Sequence, residues 1–142
     1  MIAIDTNILI YAHRSGTDEH RAARRVIERA AGSGEEWGIS LASVGEFWSI
    51  VTHPKAMGRP STPTEASDFL TALAETAAMQ TWVPGPGFGP RLLACACDLE
   101  LSGVRIFDLQ IALTAFDNGA TQMWTHDVNF IRLPGLRVID PL

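Results

Sequence analysis

Short apolar runs alternate along this chain with longer stretches in which apolar residues recur every three or four positions. A short apolar run bounded by turn-forming residues is typical of a strand, and the longer spacing is typical of an amphipathic helix. The predicted strands are residues 2–5, 38–41, 81–83, 122–125 and 137–139. The predicted helices are residues 6–13, 17–31, 43–52, 62–78, 91–101 and 108–118. Because strands and helices alternate, we expect an α/β fold with a central, mostly parallel sheet of about four to five short strands.

Several element boundaries carry their own signals. Thr62, Pro63 and Glu65 combine a capping side chain, a proline in the first turn and a glutamate three residues after the cap, which together indicate a helix start. Residues 55–61 and 84–90 are predicted loops, and the second is too short to link two domains. Because the sequence also contains no internal repeat, we predict a single domain over residues 1–142.

The composition is that of a folded chain, since 46% of the residues are hydrophobic and 19% are charged. No apolar run approaches the roughly 20 residues that cross a bilayer. The first residues also lack the basic segment of a signal peptide, so we expect a cytoplasmic protein without a membrane segment. Cys95 and Cys97 lie in a predicted helix without further ligands nearby, which favours small core residues over a zinc site.

The charge balance bears on nucleic-acid binding. Eleven Lys and Arg residues against sixteen Asp and Glu residues give a net charge of −5. A negative net charge argues against a protein that binds nucleic acid non-specifically over a broad surface. It is compatible with a nuclease, because a metal site is itself acidic. Arg21, Arg25 and Arg29 share one helix face. That face is either solvated and paired with Glu28 and Asp18, or a stripe that contacts the RNA backbone.

Four carboxylates differ from the other acids, because each lies at a predicted strand end or helix start among apolar neighbours. They are Asp5, Glu46, Asp108 and Asp127. Each also has a purely structural interpretation. Asp5 and Asp108 can cap the helices that follow them, and Glu46 has capping-box spacing from Ser43. Asp127 can serve as a turn residue.

Taken together, the four acids predict chemistry rather than capping. All of them map to the same edge of a parallel sheet, the edge where ligands bind in open α/β folds. Four converging carboxylates repel one another unless cations lie between them. Mg²⁺ or Mn²⁺ suits such oxygen ligands, and a bound divalent ion activates water and stabilises charge on a phosphate. We therefore expect hydrolysis of phosphodiester bonds.

An ordered set of motifs runs through the whole chain. The motifs are IDTNILIYA at residues 4–12, SVGEF at 43–47, FDLQIA at 107–112, WTHDVNF at 124–130 and LPGLRVIDP at 133–141. In this order they resemble the PIN-domain family, and within it the VapC toxins of bacterial toxin–antitoxin modules. The resemblance implies a three-layer α/β/α fold and an endoribonuclease that depends on Mg²⁺ or Mn²⁺.

The resemblance also assigns roles to particular residues. The acids of the family match Asp5, Glu46, Asp108 and Asp127, with Glu46 either as a metal ligand beside the other three or as the base that orients the attacking water. Polar positions that support the first acid and the end of the last motif strand match Thr6, Asn7 and Thr125.

The family resemblance further implies partners. These are RNA as the substrate, a small VapB-like antitoxin that blocks the active site, a second copy of the toxin in a homodimer, and a toxin–antitoxin hetero-oligomer. One position departs from the pattern, since Asn129 stands where many relatives carry a second acid. That departure concerns the surroundings of the metal rather than its binding.

Two other functions stay open on the residues alone. A phosphatase with an aspartyl nucleophile also has an acid at the end of its first strand. Such enzymes carry a second acid two residues on, where this chain has Asn7, and no lysine follows Lys55 to steady a phosphoaspartate. A catalytically idle module that binds RNA or protein is the other alternative. The presence of all four acids argues against it.

Overall fold

The structure is a computed structural model that describes residues 1–56 and 58–142. Met57, which falls in the loop predicted at residues 55–61, lies outside the described residues. The strands of the described part are Ile2–Ile4 (β1), Trp37–Ser40 (β2), Gln80–Trp82 (β3), Gln122–Trp124 (β4) and Arg137–Ile139 (β5). They form one sheet in the order β3-β2-β1-β4-β5, and every pairing is parallel. The predicted parallel α/β architecture is confirmed.

Helices cover both faces of this sheet. Within the described residues they are Thr6–His13 (α1), His20–Ala31 (α2), Leu41–Val51 (α3), Pro63–Ala77 (α4), Phe88–Asp98 (α5) and Arg105–Asp117 (α6). Because successive side chains of a strand point to opposite faces, β1 contributes Ile2 and Ile4 to one core and Ala3 to the other. Helices α1 to α4 pack in the first core, and α5 and α6 pack in the second. The result is the expected three-layer α/β/α arrangement.

Three helices begin before the residues predicted for them. Helix α5 starts at Phe88 instead of at residue 91, because Pro90 is compatible with a first helical turn, so the end of the loop predicted at residues 84–90 is helical. Helix α3 starts at Leu41, because the side chain of Ser40 accepts a hydrogen bond from the amide of Ala42 at 3.2 Å and caps the helix. Ser43, the predicted first residue, lies inside the helix and is buried. Helix α6 starts at Arg105 instead of at residue 108. The predicted caps at Ser43 and Asp108 are therefore wrong, which removes the structural interpretation of two of the four acids.

The central strand positions the candidate site. β1 pairs with β2 on one side and with β4 on the other, so its carboxyl end lies in the middle of the sheet edge. Residues that follow β1 and β4 are brought together there, although they are far apart in sequence. Among the described residues, no helix combines the length and the hydropathy that a bilayer crossing needs.

Candidate active site

Asp5 is buried, and both of its carboxylate oxygens are held in place by hydrogen bonds. It follows β1 directly and is 6% exposed. Its Oδ1 accepts a 2.7 Å hydrogen bond from the amide of Thr6 and caps α1, while its Oδ2 accepts a 2.6 Å hydrogen bond from Oγ1 of Thr125. Both interpretations of Asp5 are thus compatible, since one carboxylate oxygen caps the helix and the other faces the end of β4.

The Thr125 hydroxyl connects three segments of the site. It donates to Asp5, and it accepts hydrogen bonds from Nδ2 of Asn7 at 3.1 Å and from the amide of Asp127 at 3.0 Å. A hydroxyl has one proton to donate and two lone pairs, so all three bonding positions are used. The side chain of Asn7 also reaches the residue after Thr125, since its Oδ1 accepts from the amide of His126 at 3.4 Å.

Asp127 lies in the loop that follows β4. Its Oδ1 accepts a 2.8 Å hydrogen bond from the amide of Asn129, which is the turn role that the sequence suggested. The carbonyl of Asn129 in turn accepts a 2.8 Å hydrogen bond from Nη2 of Arg105 in the first turn of α6. One carboxylate oxygen of Asp127 is therefore engaged in the turn, and the loop is held against α6.

Glu46 and Asp108 do not cap their helices. Both are half-buried, Glu46 in the interior of α3 and Asp108 in the first turn of α6. Within residues 1–56 and 58–142, neither carboxylate accepts a hydrogen bond from the protein. The helix dipole favours an acid at the position of Asp108, whereas Glu46 lies too far along α3 to benefit from it.

The electrostatics link all four acids. Burial and, to a smaller extent, the charges of Glu46 and Asp108 raise the pKa of Asp5 to about 6, although the hydrogen bonds from Thr125 and Thr6 oppose this shift. Burial also raises the pKa of Asp108, as do the neighbouring charges of Asp127 and Glu46, while Arg105 opposes this shift. The charge of Glu46 thus acts on both Asp5 and Asp108, and that of Asp127 acts on Asp108, so the four acids form one cluster that favours a bound cation.

The donor set fits a hard divalent ion. The acids offer only oxygen ligands, and Oγ1 of the adjacent Thr6 is buried without a hydrogen-bond partner among the described residues. Within the same residues, no three His, Cys, Asp or Glu side chains lie close enough to chelate an ion by themselves. Such an open arrangement suits Mg²⁺ and Mn²⁺, because Mg²⁺ keeps several waters and takes few protein carboxylates beside substrate phosphate.

The arginine face on α2 forms no contact with the four acids among the described residues. The guanidinium of Arg29 lies 4.8 Å from the ring centroid of Trp124 and donates to the carbonyl of Pro141 at 3.4 Å. Arg21 and Arg25 are exposed. In the described part of the chain, none of these arginines forms an ion pair with Glu28 or Asp18, so the pairing considered from sequence is wrong.

Sequence reasoning overlooked Arg105. The signal was its position three residues before Asp108, which places both side chains on the same face of a helix. It went unseen because α6 was predicted to begin only at residue 108.

Comparisons with known proteins agree with this geometry. A family profile described as PIN domain matches residues 2–136. Ribonuclease VapC43 of Mycobacterium tuberculosis is 31% identical over 142 residues, which span 100% of this chain and 96% of that protein.

Two solved structures share the fold. The VapBC2 complex from Rickettsia felis, bound to a DNA fragment from its promoter, matches with a TM-score of 0.70 at 21% identity over 98% of both chains. Mycobacterium tuberculosis VapC20, described as a toxin that cleaves the sarcin–ricin loop, matches with a TM-score of 0.68 at 14% identity over 92% of both. With the family profile and the full-length relative, they lead to one conclusion: the chain belongs to the PIN-domain family and is of the VapC type.

Proposed function

We propose that this VapC-type protein is a Mg²⁺- or Mn²⁺-dependent endoribonuclease and the toxin of a VapBC-type toxin–antitoxin pair. The observation that carries the proposal is the cluster of Asp5, Glu46, Asp108 and Asp127 at the carboxyl end of the sheet, in which the carboxylates of Glu46 and Asp108 accept no hydrogen bond from the described residues. Relatives named as ribonucleases over the full length of the chain support it.

Each polar residue of the site has a separate role in the proposed reaction. Asp5, Asp108 and Asp127 would hold the ion, and when bound it would supply an activated water and a positive charge against the phosphate. Thr125 orients Asp5 and the Asp127 loop through its three hydrogen bonds. Glu46, which accepts no hydrogen bond from the described residues, either joins the ligands or takes the proton of the attacking water. No side-chain nucleophile is needed.

The partners follow from the same proposal. The match to a VapBC complex supports a VapB-like antitoxin and a toxin–antitoxin hetero-oligomer, and the toxin homodimer is proposed from the family resemblance alone. Helix α3 offers surface for such contacts, because Leu41, Trp48 and Ile50 are large apolar residues that remain 49%, 38% and 44% exposed. A cellular RNA substrate is compatible with the cytoplasmic location that the sequence led us to expect.

The first test is cleavage of total RNA by the purified chain freed of antitoxin. Reactions contain Mg²⁺, Mn²⁺ or a chelator, and Asp5→Asn is assayed in parallel. This variant removes the charge of Asp5 but keeps its size, and it replaces one of the two acceptor oxygens with an NH₂ group, so one of the hydrogen bonds from Thr6 and Thr125 is lost. We expect discrete fragments that require metal and are absent with the variant. Cleavage that ignores both chelator and variant would instead indicate a contaminating nuclease.

The same preparation separates the alternatives. Hydrolysis of a phosphomonoester with no cleavage of RNA would favour the aspartyl-nucleophile phosphatase. RNA binding without hydrolysis of either substrate, and without any metal-induced rise in melting temperature, would favour an idle binding module.

A further inference from the structure

A cavity of about 400 Å³ opens beside the acid cluster, between α3 and α6. Glu46 forms part of its wall, so the cavity adjoins the candidate site directly. The remaining lining is apolar, small or neutral, and no lysine or arginine contributes to it. The residues that matter for its chemistry are Gly45 on α3 and Phe107 and Gln110 on α6.

Gly45 lies where a glycine is unfavourable. It occupies the interior of α3, and a glycine destabilises a helix interior relative to alanine. A Cβ atom built at Gly45 would meet nothing within 4 Å, so packing within the chain does not require a glycine there. Because Gly45 lines the cavity, a larger side chain at this position would take up space beside Glu46. Close approach of a ligand is the remaining physical reason for glycine.

Phe107 presents an aromatic ring to the same space. It directly precedes Asp108 and is 53% exposed, although most large apolar side chains of this chain are buried. An exposed ring beside a catalytic acid is a stacking platform, because every nucleobase has a π face.

Gln110 supplies the polar contact. Its side chain lines the cavity and makes no hydrogen bond within the described part of the chain. A carboxamide both donates and accepts, as does the Watson–Crick edge of an unpaired base. The cavity thus combines a stacking surface, an edge-reading group and open space.

We propose that this cavity is a nucleobase subsite, which holds the base of a nucleotide next to the scissile phosphate. The base stacks on Phe107, its edge meets Gln110, and Gly45 leaves room for it. The backbone phosphate is excluded as the occupant, because the carboxylate of Glu46 would repel it and the lining carries no cation. The proposal rests on the proposed ribonuclease function and adds a determinant of its nucleotide preference.

The test uses a substitution that separates folding from recognition. Gly45→Leu and Gly45→Ala fill the cavity to different degrees in a position where a helix gains from either change. Gly89→Leu is the control outside the cavity lining, because Gly89 lies in the first turn of α5 and a Cβ there meets nothing within 4 Å apart from its chain neighbours. Since Pro90 follows Gly89 and restricts a larger residue there, the melting temperature of this variant is measured before its kinetics are compared. Each variant is assayed on oligonucleotides in which the bases flanking the cleaved bond are varied one at a time.

We expect Gly45→Leu to melt no lower than wild type, yet to lose about 10-fold or more in kcat/KM and to change its preference at one flanking base. Gly45→Ala should lie between wild type and Gly45→Leu, and Gly89→Leu should match wild type. Phe107→Ala should raise KM by about 10-fold, while Phe107→Tyr should retain the wild-type value. Unchanged kinetics and base preference in Gly45→Leu would overturn the proposal.

A binding measurement distinguishes failure of the proposed nucleobase subsite from failure of the proposed ribonuclease function. In the Asp5→Asn background, fluorescence anisotropy follows binding of short A, C, G and U homo-oligomers. We expect a base-dependent affinity that Gly45→Leu weakens and Gly89→Leu preserves. If wild type cleaves no RNA but this pattern holds, the proposed function fails and the subsite stands. A change of oligomeric state in Gly45→Leu, with unaltered RNA binding, would instead assign the cavity to a protein contact and overturn the subsite.

Discussion

Nη2 of Arg105 donates a 2.8 Å hydrogen bond to the carbonyl oxygen of Asn129. Arg105 lies three residues before Asp108 on α6, and the amide of Asn129 donates to the carboxylate of Asp127. One hydrogen bond therefore joins the two segments that carry Asp108 and Asp127. Because the positive charge of Arg105 also opposes the rise in the pKa of Asp108, this residue both positions the cluster and lowers the pKa of one of its acids.

Removing Arg105 should shift the pH dependence of cleavage. In Arg105→Gln the pKa of Asp108 rises further, so a larger fraction of Asp108 is protonated in mild acid. We expect the acidic limb of the kcat/KM profile to move to higher pH. Arg132→Gln is the control, since Arg132 is an exposed arginine in the same surface region. A profile that coincides with wild type would show that Arg105 only anchors the loop.

Asp5→Asn should stabilise the metal-free protein at neutral pH. The pKa of Asp5 is about 6 when folded, against an ordinary value of 3.8, so the folded state binds the proton more tightly. The cost of the Asp5 charge is absent below the ordinary value, grows as pH rises towards 6 and is complete above it. About two pKa units correspond to roughly 3 kcal/mol, an upper bound on the gain at pH 7.

Urea unfolding in chelator, from pH 4 to pH 8, measures this effect. The difference in free energy of unfolding between Asp5→Asn and wild type should grow across the lower half of that range and then level off. A variant that is less stable than wild type at pH 7 would show that the hydrogen bonds of the carboxylate outweigh its burial.

Mg²⁺ should raise the melting temperature of wild type, because an ion that binds only the folded state stabilises it by mass action. At 100 times the dissociation constant the gain is about 2.7 kcal/mol. Asp5→Asn and Asp108→Asn should lose most of it, whereas Glu75→Gln, at an exposed position on α4, should retain it. An equal metal response in all four proteins would place the ion elsewhere.

Thr125→Val should weaken both the fold and the site. Valine keeps the shape of threonine but leaves Oδ2 of Asp5, Nδ2 of Asn7 and the amide of Asp127 without their common partner. We expect a loss of about 1 to 3 kcal/mol in free energy of unfolding, together with a large fall in kcat. Thr125→Ser retains the hydroxyl and should restore most of both. If serine and valine behave alike, the methyl group of Thr125 matters more than its hydrogen bonds.

Glu46→Gln should abolish cleavage without a measurable loss of stability. A lost helix cap would cost about 1 kcal/mol, but Ser40 caps α3 and Glu46 lies within the helix. Thermal unfolding beside the RNA assay measures the two effects separately. Ser40→Ala is the matched comparison, since it removes the cap that is present and should lower stability by about that amount.

Much of the architecture could be predicted from sequence because capping and turn-forming residues mark the ends of several helices and strands. Helix α1 and strand β5 have the predicted bounds, and the capping box of Thr62 and Glu65 forms as expected. The start of α3 could not be predicted in the same way. Ser40 and Ser43 are equally good caps, and only the tertiary position of β2 decides that the chain turns into a helix at Leu41.

The residues of the site could be predicted from sequence, but the hydrogen bonds that join them could not. The four acids and Thr125 follow from strand ends and from the family resemblance. The three hydrogen bonds of Thr125 depend on the register of β1 against β4, which aligns Ile4 with Trp124 and which no local sequence pattern encodes. Arg105 was missed for a related reason, since its role depends on where α6 begins and on the fold of a distant loop.

The pairing of β1 with β4 also sets a time at which the protein becomes active. Asp5 is synthesised 120 residues before its partner Thr125, and Asp127 follows Thr125. A nascent chain that has reached α3 therefore carries Asp5 and Glu46 without the other two acids. The acid cluster assembles only when β4 has emerged and docked beside β1, so cleavage of RNA has to wait for this long-range pairing.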